Sequence, residues 1–191
     1  MLIEDARVYN AYLTHPDQVR LLPGAAEAVR KLNDAALPVV VVTNQAAIAR
    51  GIITEEELYS IHSRMCDLLQ GQAGAHLDKV YSCPYHPGGV VARYVRHSDS
   101  RKPGPGMLLQ AARDLNLHLP HCFLVGDQES DMLAAKKVHC KAIAVTSEPY
   151  GIKWRSWTEG KPDFVAEDLP ASVVWILDSL AREDPKRGAL L

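Results

Sequence analysis

Pro38-Val39-Val40-Val41-Val42-Thr43-Asn44-Gln45 is the stretch whose reading decides the fold. Its four consecutive valines favour extended backbone and lack the polar alternation of a strand with one wet face. Such a run predicts a strand of a parallel sheet, buried on both faces. His121-Cys122-Phe123-Leu124-Val125-Gly126-Asp127 and Lys141-Ala142-Ile143-Ala144-Val145-Thr146 read the same way, and residues 79–82 and 163–166 are shorter candidates.

Helical patterns lie between these runs. Pro23-Gly24 opens one that carries Ala28, Val29 and Leu32. Thr54-Glu55-Glu56-Glu57 is a capping box, and Leu58, Ile61, Met65, Leu68 and Leu69 follow at three- and four-residue spacing on one face. Further helices are expected over about residues 107–115, from Ser130 or Asp131 onward, and over 172–182. Strands alternating with helices imply right-handed crossovers and a sheet covered on both sides. The expected fold is therefore α/β, a Rossmann-like three-layer sandwich around a parallel sheet without a large cap domain. A single domain is expected over residues 1–182, with a disordered tail over 183–191.

Bulk properties narrow the function. The chain has 191 residues, a length that suits one domain with a sizeable core. A formal net charge of −2 gives no attraction for nucleic acid or an anionic membrane. No apolar run nears the ~18 residues of a membrane span, and Met1-Leu2-Ile3-Glu4-Asp5 lacks the layout of a secretory signal. Cys66, Cys83, Cys122 and Cys140 lie far apart and read as reduced thiols of a cytoplasmic protein.

In open α/β sheets ligands bind at the carboxyl ends of the strands. Three polar groups sit at such ends or in the long irregular stretch that follows Cys83: Thr43-Asn44-Gln45, Arg101-Lys102-Pro103 and Gly126-Asp127-Gln128-Glu129-Ser130-Asp131. Taken singly each is ordinary, since a threonine caps, an Arg-Lys pair is solvated and a Gly-Asp pair turns. Together they supply what phosphoryl transfer requires. Thr43 and its neighbouring N–H groups can bind phosphate oxygens, Lys102 can neutralise developing charge, and Asp127, with Asp131 as a further candidate, can hold Mg²⁺. No Gly-x-x-x-x-Gly-Lys-(Ser/Thr) occurs, which excludes a P-loop kinase.

Thr43-Asn44-Gln45, Ile48-Ala49-Arg50-Gly51, Cys83-Pro84, Arg101-Lys102-Pro103 and Gly126-Asp127-x-x-x-Asp131, in that order, resemble the haloacid dehalogenase superfamily. The resemblance covers about residues 2–180. It is strongest to the D-glycero-D-manno-heptose 1,7-bisphosphate phosphatases and the related histidinol-phosphatase branch. It implies a Mg²⁺-dependent phosphomonoester hydrolase acting on a small sugar phosphate through an aspartyl-phosphate. Thr43 matches the phosphate-binding threonine, Lys102 the lysine beside the nucleophile, and Asp127 the Mg²⁺ ligand. Asn44, Arg50 and Arg101 match substrate-contacting positions.

Three features depart from the family pattern. The family's nucleophile and acid/base aspartates belong to an Asp-x-Asp-Gly at the end of a first strand, and Met1 takes the place of the residue after that Asp-Gly, so both are absent. The expectation is a gene start placed too late, with a valine GTG codon taken as the initiator and the 191-residue chain inactive as a phosphatase. An in-frame upstream sequence without Asp-x-Asp would refute that origin. The alternative is a non-catalytic paralogue that binds a phosphorylated metabolite or a protein partner. Secondly, the family's structural Zn²⁺ site has lost its ligands: Cys83 remains, but Tyr85, Ser98 and Ser100 replace a histidine and two cysteines. His86 and His97 are the only substitutes nearby, and no structural zinc is expected. Thirdly, Gln128 stands where the heptose enzymes carry a lysine, which bears on substrate preference. The expected partner is a small phosphorylated metabolite, with neither nucleic acid nor membrane.

Overall fold

The computed structural model describes residues 12–146 and 154–183. The stretch Met1 to Asp5 and residues 184–191 of the expected tail lie outside them. The valine run forms β1 (Val40–Asn44), paired in parallel with β2 (Lys79–Cys83) so that Val42 faces Tyr81. A second parallel sheet runs in the order β3 (Phe123–Gly126), β4 (Lys141–Val145), β5 (Phe164–Ala166). The helices are α1 (Ala25–Asp34), α2 (Ala46–Ala49), α3 (Glu55–Ala73), α4 (Gly106–Leu115), α5 (Glu129–Lys136) and α6 (Leu169–Glu183). None is long and apolar enough to cross a membrane among the described residues.

Side chains of the strands alternate between two helical layers. Val39, Val41 and Val80 pack with α1 and α3 through Val29, Ile61, Met65 and Leu69, while Phe123, Val125 and Ile143 pack with Ile176 and Leu180 of α6. On the opposite face Val40, Val42, Tyr81 and Cys83 meet Met107 and Ala111 of α4, and Leu124, Ala142 and Ala144 meet Leu108, Met132 and Ala135. Trp175 of α6 stacks on Phe164 at 4.6 Å and meets Phe123 edge-on at 6.0 Å, pairings worth about 0.5–1.5 kcal/mol each beyond the area they bury. The result is a mixed α/β architecture with parallel strands between two layers of helices.

Local sequence explains where the helices start and stop. Thr54 Oγ1 accepts from Glu57 N at 3.1 Å and Glu57 Oε2 accepts from Thr54 N at 2.7 Å, which satisfies two orphan N–H groups of α3. Its C-terminus turns out through Gly74 at φ 63°, a left-handed conformation natural to glycine. Two starts differ from the sequence expectation. α5 begins at Glu129 because Gln128 and Asp131 cap each other reciprocally. α6 begins at Leu169 because Asp168 Oδ1 accepts from Ala171 N at 2.8 Å, and it reaches Glu183, the first residue assigned to the tail. The four-residue α2 was not legible in the sequence pattern.

β1 also differs from expectation in burial. All five of its residues are only half-buried, whereas β4, between two partners, is buried at every position but the first. The hydrogen-bond directions give the reason. Asp78 N donates to Val39 O and Gln45 N to Cys83 O, so the odd-numbered residues of β1 face β2. The backbone groups of Val40, Val42 and Asn44 therefore point to the other edge. Lys141 N likewise donates to Cys122 O, which leaves Phe123 and Val125 pointing away from β4. Among the described residues no strand pairs with either edge. Val42 packs in one cluster with Leu124 and Ala144, so the two open edges lie close across the molecule.

Candidate active site

Lys102 bridges the two open edges. Its Nζ donates to the outward-pointing carbonyl of Val42 at 2.7 Å and pairs with Asp131 Oδ1 at 2.7 Å. Only 13% of the lysine side chain and 5% of the aspartate side chain are exposed, so the pair is shielded from bulk water. Asn44, at the end of β1, fixes the lysine's backbone. Its Oδ1 accepts from Lys102 N and its Nδ2 donates to Lys102 O, both at 3.0 Å. The site thus joins a strand end to a loop residue 58 positions away in sequence.

The second strand end supplies the carboxylates. Asp127 follows β3 directly, and its Oδ2 accepts from Gln128 Nε2 at 2.9 Å. Asp131 enters from the first turn of α5, where Oδ2 accepts from Gln128 N at 3.0 Å. That carboxylate lies so close under the strand end that a Cβ on Gly126 would stand 2.5 Å from Oδ2. Only glycine leaves room for it. Both Asp131 oxygens are therefore occupied, one by Lys102 and one by the helix cap. Thr43 lies one residue before the end of β1, and its Oγ1 accepts from Gln45 Nε2 at 3.2 Å.

The irregular stretch after β2 folds over α2. Val90 N and Val91 N both donate to Ala49 O, at 2.7 and 3.0 Å. The approach requires Gly89, whose added Cβ would meet Ala49 O at 2.6 Å. Tyr85 packs against Tyr94, and the Arg96 guanidinium lies 3.8 Å from the Tyr85 ring centroid. Cys83 is fully buried, with its Sγ 4.0 Å from Tyr85 O. These contacts deliver Arg101 to a cavity of about 510 Å³ beside Lys102, lined also by His86 and His97. Burial, together with the Arg101 and Arg50 cations, holds the His86 imidazole below its usual pKa. Arg50, at the end of α2, is exposed and reaches Tyr12, donating to its hydroxyl.

Thr43, Asn44 and Lys102 thus stand on one side of the gap between the sheets, Asp127 and Asp131 on the other, and Lys102 links the two. Sequence reasoning missed the Lys102–Asp131 pair and the placing of His86 beside Arg101. The first had a local signal, since Asp131 three positions after Gln128 fits a capping box and Gly126 marks a close approach. Among the described residues no group of three or more His, Cys, Asp or Glu side chains is set to hold a metal.

Known proteins share both sequence and shape with this chain. Residues 100–172 match the HAD-hydrolase-like family. The D-glycero-D-manno-heptose-1,7-bisphosphate 7-phosphatase of Thermosynechococcus vestitus is 38% identical over 89% of this chain and 89% of its own length. The corresponding D-glycero-beta-D-manno-heptose-1,7-bisphosphate 7-phosphatase of Yersinia pestis is 35% identical over 91% of this chain and 85% of its own. Among solved structures, D,D-heptose 1,7-bisphosphate phosphatase of B. bronchiseptica, complexed with magnesium and phosphate, superposes with a TM-score of 0.76. It is 31% identical, over 89% of this chain and 90% of that one.

Proposed function

The chain belongs to the haloacid-dehalogenase-like hydrolases, and on that premise we propose that its site hydrolyses the 7-phosphate of D-glycero-D-manno-heptose 1,7-bisphosphate. The observation that carries the reading is the buried Lys102 ammonium held between Val42 O and Asp131, at the mouth of the gap between β1 and β3. A strand laid in that gap would present its terminal carboxylate beside this ammonium. That is where the Asp-x-Asp strand of the family belongs, between the strand of Thr43 and the strand of Asp127. Lys102 would restrain the attacking carboxylate and neutralise charge on the phosphate. Thr43 Oγ1 and the N–H groups after β1 would bind equatorial oxygens.

Mg²⁺ commonly takes one or two carboxylates, with substrate phosphate and water completing its shell. Asp127 fits that need, whereas Asp131 is committed to Lys102 and to the helix cap. Bound there, the ion would draw charge from the phosphate oxygens. Asn44 contributes by fixing Lys102 through both ends of its amide. Arg101 lines the substrate cavity, Arg50 would meet the substrate from the end of α2, and the expected setting is cytoplasmic.

The test is phosphate release from heptose 1,7-bisphosphate by the 191-residue chain and by the same chain extended N-terminally with an Asp-x-Asp strand. Covalent catalysis splits the reaction into two easier steps and needs the attacking carboxylate. The extended chain is therefore expected to turn over, Thr43→Val and Asp127→Asn to abolish turnover, and the 191-residue chain to show none. Equal rates from both chains would mean that another residue is the nucleophile. Turnover by neither would overturn the reading.

A further inference from the structure

The Asp127 carboxylate is held by a side chain whose own starting point is fixed. Gln128 Nε2 donates to Asp127 Oδ2 at 2.9 Å. Only the NH₂ end of an amide can face a carboxylate, so this contact sets the orientation of the amide as well as that of the acid. Gln128 is exposed and Asp127 half-buried. A bond in that position must offset the entropy of ordering both side chains. Gln128 lowers that cost because its backbone is already tied down.

Gln128 is the N-cap of α5, with φ −120° and ψ 147°. Its N–H donates to Asp131 Oδ2 at 3.0 Å, and its C=O accepts from Asp131 N at 2.9 Å. The residue is therefore bound to the first turn of the helix in both directions. Asp131 is held in turn by Lys102 Nζ at 2.7 Å, in a pair shielded from water. The same turn is anchored again through Glu129, whose Oε1 accepts from the N–H groups of Thr158, Glu159 and Gly160 at 3.0–3.2 Å. Lys102, Asp131, Gln128 and Asp127 thus form one line of contacts, each within 3.0 Å of the next, from the buried ammonium to the end of β3.

A cation ligand profits from such a line. A carboxylate that turns freely gives up that freedom when an ion binds, whereas one already oriented does not. Partners that hydrogen-bond a ligating carboxylate accordingly raise metal affinity. The charge of the partner matters too. A cationic side chain would hold Asp127 equally well but would set its own charge against the ion, and a neutral amide does not.

We propose that Gln128 is a positioning residue for the cation at Asp127: it orients the carboxylate through Nε2 and, being neutral, leaves the negative charge of Asp127 to the metal. The assignment rests on the phosphatase reading above, in which Asp127 holds Mg²⁺, and adds the residue that sets how tightly.

The experiment is a Mg²⁺ titration followed by ¹H–¹⁵N NMR, in the 191-residue protein and in its Asp-x-Asp-extended form. The variants are Gln128→Met, Gln128→Lys and Asp127→Asn. Methionine keeps the length and loses the donor, whereas lysine keeps a donor and adds a charge. In wild type the side-chain NH₂ resonances of Gln128 should shift with Mg²⁺, and Asp127→Asn should abolish the shift. Gln128→Met, read from the backbone amide of Asp127, is expected to weaken Mg²⁺ about ten- to a hundredfold, the range for losing an outer partner of a metal ligand. Gln128→Lys should weaken it at least as much. Neither should move the metal-free melting temperature appreciably, because both replace an exposed side chain. Unchanged Mg²⁺ affinity in Gln128→Met, with Asp127→Asn still abolishing binding, overturns the role of Gln128 alone. Wild-type affinity in Gln128→Lys overturns the part played by its neutrality. Weaker Mg²⁺ binding accompanied by a large fall in the metal-free melting temperature also overturns the proposal, because Gln128 would then support the fold as a whole. A Mg²⁺ response in neither chain, or one that survives Asp127→Asn, overturns the metal reading beneath it.

Discussion

Replacing Lys102 by Met should destabilise the protein by about 3–5 kcal/mol, the range for removing one partner of a buried ion pair. The structure puts this substitution at the severe end of that mechanism. Asp131 is only 5% exposed at its side chain, and Lys102 Nζ is the partner of its Oδ1 at 2.7 Å. Methionine would fill most of the lysine's volume, so little of the loss would come from a cavity. It would leave the Asp131 carboxylate with the Gln128 N–H of the helix cap as its hydrogen-bond donor among the described residues, and it would strip Val42 O of its donor. At about 2–4 °C per kcal/mol for a chain of this size, the melting temperature should fall by roughly 6–20 °C. Urea denaturation of wild type, Lys102→Met, Asp131→Asn and the double variant completes a cycle. The double variant should be more stable than Lys102→Met, since the uncompensated charge is gone, with a coupling of about 0.5–3 kcal/mol. A loss below about 1 kcal/mol in Lys102→Met would refute the reasoning, because it would mean that water reaches the pair through the gap and screens it as at a surface.

Thr54→Ala removes one half of the α3 capping box and should cost about 1 kcal/mol in the same assay, with an unchanged denaturant slope. Glu129 Oε1 accepts from the N–H groups of Gly160, Glu159 and Thr158, and these hold its carboxyl below the usual range. A depressed folded pKa gives stability that is present above the unfolded value, about 4.3, and is lost as pH falls through the folded value. Glu129→Gln should therefore lose less stability than wild type on acidification from about pH 5 to 3, and parallel curves would count against that role. Elemental analysis of the purified protein should find no stoichiometric zinc. One Zn²⁺ per chain would overturn this and point to Cys83, His86 and His97.

The strands were legible because burial in a parallel sheet selects β-branched and small apolar residues in unbroken runs, and β1, β3 and β4 each lie inside such a run. The α3 cap was legible because Thr54 and Glu57 act through backbone groups three residues away. The edge of β1 was not legible. Four valines in a row imply two covered faces, yet they say nothing of whether a neighbour lies on both sides in the hydrogen-bonding direction. The Arg96–Tyr85 stack was hidden for a related reason. Arg96 and Tyr85 meet only because the loop turns back at Gly88-Gly89, and no periodic pattern announces such a contact. Within the candidate site, Thr43 and Asp127 were singled out by their place after apolar runs. His86 was legible only as a neighbour of Cys83, because its place beside Arg101 depends on how the loop folds.

The geometry ties stability and chemistry to the same few groups. Lys102 reaches Val42 O, a carbonyl that an adjoining strand would otherwise engage, and Asp131, a carboxylate that also caps a helix. A strand entering between β1 and β3 would compete for Val42 O with a backbone N–H and bring a second carboxylate to the lysine. Lys102 would lose one neutral acceptor and gain a charged one, and charge-assisted bonds are roughly twice as strong as neutral ones. Two carboxylates sharing one ammonium repel each other, which favours a further cation at Asp127 to balance them. Strand insertion, lysine placement and Mg²⁺ affinity are then linked equilibria rather than separate properties. Added Mg²⁺ should accordingly raise the melting temperature of an Asp-x-Asp-extended chain more than that of the 191-residue chain, and the difference should vanish in Asp127→Asn. An equal Mg²⁺ effect on both chains would show that the metal and the strand do not communicate through Lys102.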